Sequence, residues 1–133
     1  MSDSDAKDIQ ALLQEGLCCS QAIVTMGLRL RDEENPSMVA AASGLCQGMY
    51  AGEACGCITS AAQVLALVGG PRNAPLMIPQ LLEWYDQISR EKFSGQTCME
   101  ITGGVLRPDI CMPLVVETWQ AVREILAEFG FES

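Results

Sequence analysis

Apolar residues recur every three or four positions along most of the chain, which is the spacing of amphipathic helices. No segment alternates between apolar and polar residues as a half-buried strand would. The predicted helices cover residues 5–14, 18–31, 36–45, 56–68 and 77–93, followed by a short one from residue 98 and a last one after residue 109. With 133 residues, the chain is long enough for one packed core. We therefore predict an all-α, single-domain bundle of about five to six helices over residues 1–133.

The most apolar of these helices lies in the middle of the chain. From Ile58 to Gly70, apolar residues surround the predicted helix on nearly every side, which is typical of a buried helix. A glycine-rich loop precedes it and places Cys55 at or just before its first turn. There, unpaired backbone N–H groups and the positive end of the helix dipole favour a thiolate over a thiol. We therefore take Cys55 as the centre of a candidate site.

Local signals mark several helix ends. The third helix is predicted to open at residue 36 or 37, after a charged turn. Thr97 and Glu100 have the spacing of a capping box, which predicts a short helix beginning at residue 98 and ended by Gly103-Gly104. Asp109 is the predicted N-cap of the last helix. The residues predicted to face inward from the fifth helix are Ile78, Leu81, Leu82 and Tyr85.

The charge balance restricts the partners. Seventeen acidic residues outnumber eight basic ones, so the formal net charge is −9. Binding to nucleic acid or to an anionic membrane surface needs a basic face, so neither is expected as a partner. The longest apolar run, Ile58 to Gly70, falls short of the ~20 residues that cross a bilayer, so no membrane insertion is expected. The acidic, polar N-terminus lacks the features of a secretory signal, and we expect a cytoplasmic location.

The chain contains seven cysteines and no histidine. The absence of histidine excludes Cys/His zinc sites and Cys–His nucleophile pairs. The cysteine count is odd and Cys18 and Cys19 are adjacent, which argues against a complete disulfide framework. Reduced thiols or metal-bound thiolates are the better expectation.

Helical phase separates the cysteines into two groups. Each member of the first group falls in the opening turn of a predicted helix and on the inward stripe of that helix. These are Cys19, Cys55, Cys98 and Cys111. On the third of these stripes, Ile101 and Val105 follow Cys98. We predict that the four sulfurs, which are distant in the chain, converge at one place in the core.

The other three cysteines differ in position. Cys18 is in phase with Arg29, which indicates an outward or flanking face. Cys46 is predicted near the end of its helix, where the negative end of the dipole disfavours a thiolate. Cys57 points to another side of the helix that Cys55 opens, and it is the first candidate for an additional ligand.

These residues also form a recognisable pattern. Its motifs are Gly16-Leu17-Cys18-Cys19-Ser20-Gln21-Ala22, Gly44-Leu45-Cys46-Gln47-Gly48-Met49 and Cys55-Gly56-Cys57-Ile58-Thr59-Ser60, followed by Cys98 and Cys111. From about residue 16 to residue 126, the chain resembles the putative redox-active C_GCAxxG_C_C family. The resemblance implies a small helical protein whose four characteristic cysteines fall on Cys19, Cys55, Cys98 and Cys111, and similar domains have been associated with an iron–sulfur centre. The chain departs from the pattern at Cys57, where alanine is expected, and at Ser60, where the closing glycine is expected.

Three functions remain open from the sequence. In the first, the four cysteines, with Cys57 as an optional ligand, hold a [2Fe–2S] cluster or another thiolate-bound metal for electron transfer or redox sensing. Such a centre is easily lost, so purified protein can lack it. In the second, Cys55 pairs with Cys98 or Cys111, or in a strained pair with Cys57, in metal-free thiol–disulfide chemistry. In the third, the protein is a helical interaction module with structural cysteines.

Other features of the sequence add little. Glu53 is predicted to be a solvated loop residue, and Arg107 and Arg123 are predicted to lie on the surface. The sequence identifies no catalytic residue and no redox partner, does not decide whether the protein is an enzyme, and leaves a homodimer open.

Overall fold

A computed structural model describes residues 3–93, 95–103 and 108–131. Seven α-helices lie in these segments. They are α1 (Asp3–Gln14), α2 (Cys19–Leu30), α3 (Pro36–Ala42), α4 (Gly56–Gly69), α5 (Ala74–Lys92), α6 (Cys98–Thr102) and α7 (Pro108–Glu128). The predicted all-α class is confirmed, but the helices number seven rather than five to six, because α3 and α6 are short yet separate elements of 7 and 5 residues.

Two turns connect α3 to α4. The first is a single turn of 3-10 helix, Ser43–Leu45. The second is a wide turn, Gly48–Gly52, which the Glu53 N–H closes by donating to the Gly48 carbonyl at 3.0 Å. The isolated antiparallel bridge between Ala54 and Thr97 is the nearest approach to a sheet within the described segments. The chain between α3 and α4 is therefore irregular, and it is docked against the start of α6.

The core is built around α4, as its apolar sequence predicted. Ala61, Val64 and Leu65 are completely buried, and α4 packs against α2, α5 and α7. The closest packing is with α2, where a Cβ added to Gly27 would lie only 2.7 Å from Cγ2 of Val64. Glycine at position 27 thus lets the two helix backbones approach each other.

The last helix supplies the other large part of the core. The sequence predicts an inward stripe of Val115, Thr118, Val122, Ile125 and Phe129 for this helix; the first four are buried, and Phe129 is partly buried. Trp119, one residue beyond Thr118, is also fully buried. None of the helices within the described segments combines the length and apolarity that crossing a bilayer requires.

Several helix ends agree with the sequence signals. Asn35 caps α3 by accepting a hydrogen bond from the Met38 N–H at 3.0 Å. The predicted capping box of α6 is present, because Thr97 Oγ1 accepts from the Glu100 N–H at 3.1 Å and Glu100 Oε1 accepts from the Thr97 N–H at 3.2 Å. Gly103 ends α6 in the left-handed conformation, with φ of 75°.

Other predicted details of the helices are wrong. Asp109 is the second residue of α7 rather than its N-cap. The fifth helix begins at Ala74, and Leu82 is 51% exposed instead of facing inward. The inward positions of α5 are Met77, Leu81, Tyr85 and Ile88. The spacing from Met77 to Leu81 to Tyr85 places Leu82 beyond the edge of the buried stripe.

Arg123 is predicted to be a surface residue, and its side chain is 32% exposed, but it also takes part in an ion pair between helices. Asp5 of α1 accepts hydrogen bonds from Arg123 Nη1 at 2.8 Å and from Trp119 Nε1 at 3.1 Å. The Asp5 side chain is only 13% exposed, so this ion pair is partly shielded from water and fastens α1 to α7. The predictions made for Gly104, Val105 and Arg107 fall outside the described residues.

The contact between α2 and α4 can be tested by changing the size of its side chains. Gly27→Ala is expected to cost about 1–3 kcal/mol because the added methyl overlaps Val64. Val64→Ala should cost on the order of 2 kcal/mol by leaving a cavity. The double variant should lose less than the sum of the two costs, since alanine at position 64 makes room for the new methyl. Urea unfolding followed by circular dichroism measures all three, and strictly additive costs would contradict the close packing.

Candidate redox site

One cavity of about 510 Å³ brings together the cysteines selected by helical phase. Its lining includes Cys19, Cys55, Cys98 and Cys111, together with Cys18 and Cys57. Cys19 and Cys98 are the first residues of α2 and α6, Cys55 is the N-cap of α4, and Cys111 lies in the first turn of α7. Four helices therefore direct their N-terminal ends toward the same cavity. Most of the remaining wall is apolar, from residues such as Leu13, Leu17 and Val115.

The irregular chain between α3 and α4 forms one side of this cavity. The backbone of Cys98 donates to the Glu53 carbonyl at 2.7 Å, which docks the start of α6 on this segment. Two glycines permit the contact. A Cβ on Gly48 would lie 2.9 Å from the Cβ of Cys98, and one on Gly52 would lie 2.9 Å from the Cβ of Met99. Both glycines also have positive φ angles, of 61° and 71°.

Gly56, between Cys55 and Cys57, is required by a different contact. A Cβ at this position would lie 2.8 Å from the carbonyl oxygen of Leu45 and 3.0 Å from Sγ of Cys19. Only glycine therefore lets the first turn of α4 approach the sulfur of Cys19 this closely. The same approach brings Cys57 beside Cys19.

Cys57, which the sequence did not include in the primary set, lies between two of its members. Its thiol is 1% exposed and forms hydrogen bonds with the sulfurs of both Cys19 and Cys55. These two hydrogen bonds and burial raise the pKa of Cys57 well above its ordinary value, so this thiol keeps its proton. Cys57 consequently stays neutral and can donate its single proton to one of the two neighbouring sulfurs at a time.

The Cys57 thiol has the opposite effect on the pKa of its neighbours. Its hydrogen bond is the largest cause that lowers the pKa of Cys55 to about 6, against the opposing effect of burial. The backbone N–H groups of Cys57 and Ile58 lower this pKa further. The hydrogen bond with Cys57 is also the largest cause that lowers the pKa of Cys19, and the backbone at Ser20 lowers it further.

Two other groups near the cavity are held in their neutral forms. Burial raises the pKa of the Cys98 thiol, and the neighbouring charges of Cys55 and Cys19 raise it further, although the Thr102 hydroxyl opposes this. The start of α6 therefore does not favour a thiolate at Cys98, in contrast to the start of α4 at Cys55. Burial and the charge of Cys55 likewise raise the pKa of Tyr85, whose hydroxyl donates to the Gln96 carbonyl at 2.6 Å.

Cys18 and Cys46 form a disulfide, with their Cα atoms 6.1 Å apart. The expectation of reduced thiols is wrong for this pair, whereas the other five cysteines remain outside any disulfide. The predicted outward face of Cys18 is also wrong. Ala22, one turn further along the same face, is completely buried, and Cys46 is 2% exposed. This face of α2 is covered by α3 and the turn that follows it.

The sequence identified four of the cysteines that line the cavity and named Cys57 only as a possible additional ligand, and it gave no role beside the cavity to Tyr85 or Ser60. Cys57 stayed outside the primary set because α4 is buried on most sides, so helical phase does not distinguish its inward cysteine from its flanking one. Tyr85 had been assigned only to the core. The Ser60 side chain, at the departure from the family pattern, is fully buried, and its hydroxyl donates to the Gly56 carbonyl within α4.

The contact at Gly56 predicts a specific loss of stability. Gly56→Ala should cost about 1–3 kcal/mol, because the added methyl overlaps the Leu45 carbonyl and the Cys19 sulfur. Gly44→Ala is the matched control, since a Cβ at Gly44 meets nothing within 4 Å. Urea unfolding of both variants makes the comparison, and equal stabilities would contradict the close approach.

The hydrogen bonds of Cys57 predict how the reactivity of Cys55 depends on pH. In metal-free protein, alkylation of Cys55 should be half-maximal near pH 6, because only the thiolate reacts and its pKa is about 6. In Cys57→Ala the half-maximal pH should move upward, whereas Cys57→Ser retains a donor and should keep the low value. Iodoacetamide labelling across a pH series, resolved by peptide mass, measures this shift. An unchanged profile in the alanine variant would rule out the assigned donor.

The chain was also compared with known proteins. The sequence profile of a family described as putative redox-active protein (C_GCAxxG_C_C) matches residues 17–125. No curated protein and no solved structure matches the chain. The matched range contains all seven cysteines, including every cysteine that lines the cavity. The chain therefore belongs to the C_GCAxxG_C_C family of putative redox-active proteins.

Proposed function

We propose that the protein transfers or senses single electrons by means of an iron–sulfur cluster held by Cys19, Cys55, Cys98 and Cys111. The main support is that these four side chains, from four different helices, line one cavity. A cavity of about 510 Å³ has room for a group of several heavy atoms between the sulfurs. Thiolates are the usual ligands of such clusters.

The charges around the cavity fit a positively charged metal centre. The described residues that line it include six cysteines but no lysine or arginine. Thiolates in an apolar cavity repel one another, as the effect of Cys55 and Cys19 on the pKa of Cys98 indicates. Iron ions would offset this repulsion and stabilise the thiolate forms.

The spacing of the thiols favours a group larger than one ion. Within the part of the chain that the structure describes, no three cysteine, aspartate or glutamate side chains are gathered closely enough to hold a metal ion. A zinc ion binds thiolates at ~2.3 Å and would require its sulfurs to be drawn together around one point. A [2Fe–2S] cluster needs only two cysteine ligands at each iron, so four thiols around one cavity suit it better than they suit a single ion.

The surrounding residues would position the ligands and adjust their charge. Gly56 permits the approach of Cys19, and the Glu53 carbonyl holds the backbone of Cys98. Cys57 can donate its proton to the sulfur of Cys55 or to that of Cys19, and such a hydrogen bond makes a bound centre easier to reduce because it offsets negative charge. The cluster itself would supply one-electron exchange.

Metal-free dithiol chemistry is the second candidate. It is favoured by the contacts among Cys19, Cys57 and Cys55, which bring three thiols together without any metal. Oxidation of two thiols to a disulfide would pass two electrons and two protons to a disulfide-containing acceptor, which balances the exchange.

Metal analysis distinguishes the two candidates. Protein purified without air, or reconstituted with ferrous iron and sulfide, is expected to contain iron and acid-labile sulfide in similar amounts and to absorb visible light. Cys98→Ala and Cys111→Ala should each lower the iron and sulfide content several-fold, because each removes a ligand. Iron, sulfide and the absorption spectrum are measured on the same samples.

The double variant Cys18→Ser/Cys46→Ser is the matched control, since it removes two cysteines outside the proposed ligand set. It should retain iron and sulfide. Wild-type protein that takes up neither, but forms a disulfide among the remaining thiols when oxidised, would exclude the cluster and support the dithiol function.

A further inference from the structure

We propose that Cys18 and Cys46 are a second redox site, a disulfide that a small thiol reduces reversibly in the folded protein. The pair joins the N-cap of α2 to the end of the 3-10 turn, across 28 positions of the chain. It lies outside the four proposed ligands, and its chemistry does not depend on what the cavity binds.

A buried hydroxyl lies against both sulfurs of this disulfide. Ser20 Oγ is 3.1 Å from Sγ of Cys18 and 3.3 Å from Sγ of Cys46, and the Ser20 side chain is completely buried. The hydroxyl donates its single proton to the Ala42 carbonyl at 2.8 Å. Its two lone pairs are then left for the two sulfurs, and a disulfide has no proton to donate to them.

Reduction supplies the missing donors. Each new thiol, at Cys18 and at Cys46, can donate to a lone pair of Ser20 Oγ without any movement of the serine. A buried acceptor that lacks donors in the disulfide form therefore gains them in the dithiol form, which favours reduction. A disulfide that served only to hold the fold together would need no such acceptor. The site is thus suited to both oxidation states.

The two sulfurs differ in access, which sets the order of the reaction. Cys18 is half-buried and lines the cavity, whereas Cys46 is 2% exposed. An incoming thiolate would attack Sγ of Cys18, the S–S bond would break, and the electron pair would leave on Cys46, which takes up a proton. A second small thiol would resolve the mixed disulfide. The products are two protein thiols and one small disulfide, so two electrons and two protons pass from two small thiols to the protein.

The disulfide also anchors a strained segment of the cavity wall. Cys46 directly precedes residues 47–50, which are all in the left-handed conformation. Their φ angles are 52° at Gln47, 61° at Gly48, 59° at Met49 and 58° at Tyr50. The other end of the segment is held by the hydrogen bond from the Glu53 N–H to the Gly48 carbonyl. Reduction releases the first anchor, so the wall formed by Tyr50 and Gly52 opens more easily, and the oxidation state of the pair controls access to the cavity.

A glutathione titration tests the proposal directly. Protein oxidised with glutathione disulfide is equilibrated in mixtures of glutathione and its disulfide, quenched with acid, denatured and labelled with N-ethylmaleimide. Peptide mass spectrometry should show Cys18 and Cys46 gaining label together, in one two-electron transition, while circular dichroism shows that the helices persist. The proposal is overturned if both residues carry label in the oxidised sample, or if they gain label only in glutathione mixtures in which circular dichroism shows that the helices are lost.

The role of Ser20 has its own test. Ser20→Ala removes the shared acceptor and should lower the ratio of dithiol to disulfide about three- to tenfold at a given glutathione mixture. Ser89→Ala is the matched control, because Ser89 is also buried but its hydroxyl contacts no sulfur. Equal ratios in Ser20→Ala and wild type would refute this role. Should Ser20→Ala fail to fold, the wild-type titration still decides the main proposal.

Amide hydrogen exchange tests the effect on the wall. Reduction should speed exchange in residues 47–53 and leave residues 61–68 of α4 unchanged, since only the former segment loses an anchor. Cys46→Ser should show the faster exchange without any reductant. Equal exchange in the oxidised and reduced forms would overturn the control of access.

Discussion

The site depends on how closely the first turn of α4 approaches the residues before it. Gly56 lies against the Leu45 carbonyl and the Cys19 sulfur at distances that leave no room for a side chain. The rest of α4 is buried against α2, α5 and α7, so this turn cannot withdraw without disturbing the core. The positions of Cys55 and Cys57 are consequently set by the packing of the whole bundle. A site assembled in this way couples its chemistry to the fold, unlike one carried on a single loop.

The crowding of thiols at this turn limits how many of them can ionise. Cys57 offers one proton to two neighbouring sulfurs, which favours thiolates at Cys55 and Cys19. The same negative charges disfavour ionisation of Cys98 and of the Tyr85 hydroxyl. The protein thus favours ionisation of Cys55 and Cys19 and opposes ionisation of Cys98 and Tyr85. Ionisation of all these thiols would require positive charge that the described lining residues do not supply. The proposed metal centre would supply it.

Much of this arrangement follows from periodicity, and the errors share a physical cause. The inward stripe of α7, the buried α4 and the capping box of α6 were all predictable because each depends on local spacing. Helical phase assigned Cys18 to an outward face of α2 because Arg29 lies on the same face. However, α3 covers the part of this face near Ala22. Cys57 was left outside the primary set for a related reason, because a helix buried on most sides has no single inward stripe. Contacts such as the one at Gly56 depend on distant residues, and spacing carries no information about them.

The left-handed segment before α4 shows what local sequence could not reveal. Glycine accounts for only part of it, since Gln47, Met49 and Tyr50 also have positive φ angles. At about 1–2 kcal/mol for each of these three residues, the strain is roughly 3–6 kcal/mol. Such backbone persists only where surrounding contacts determine it, and here the disulfide at Cys46 and the hydrogen bonds around Glu53 hold its two ends. Because the disulfide and these hydrogen bonds act at the ends of the segment, a change at either end shifts the balance for the entire wall.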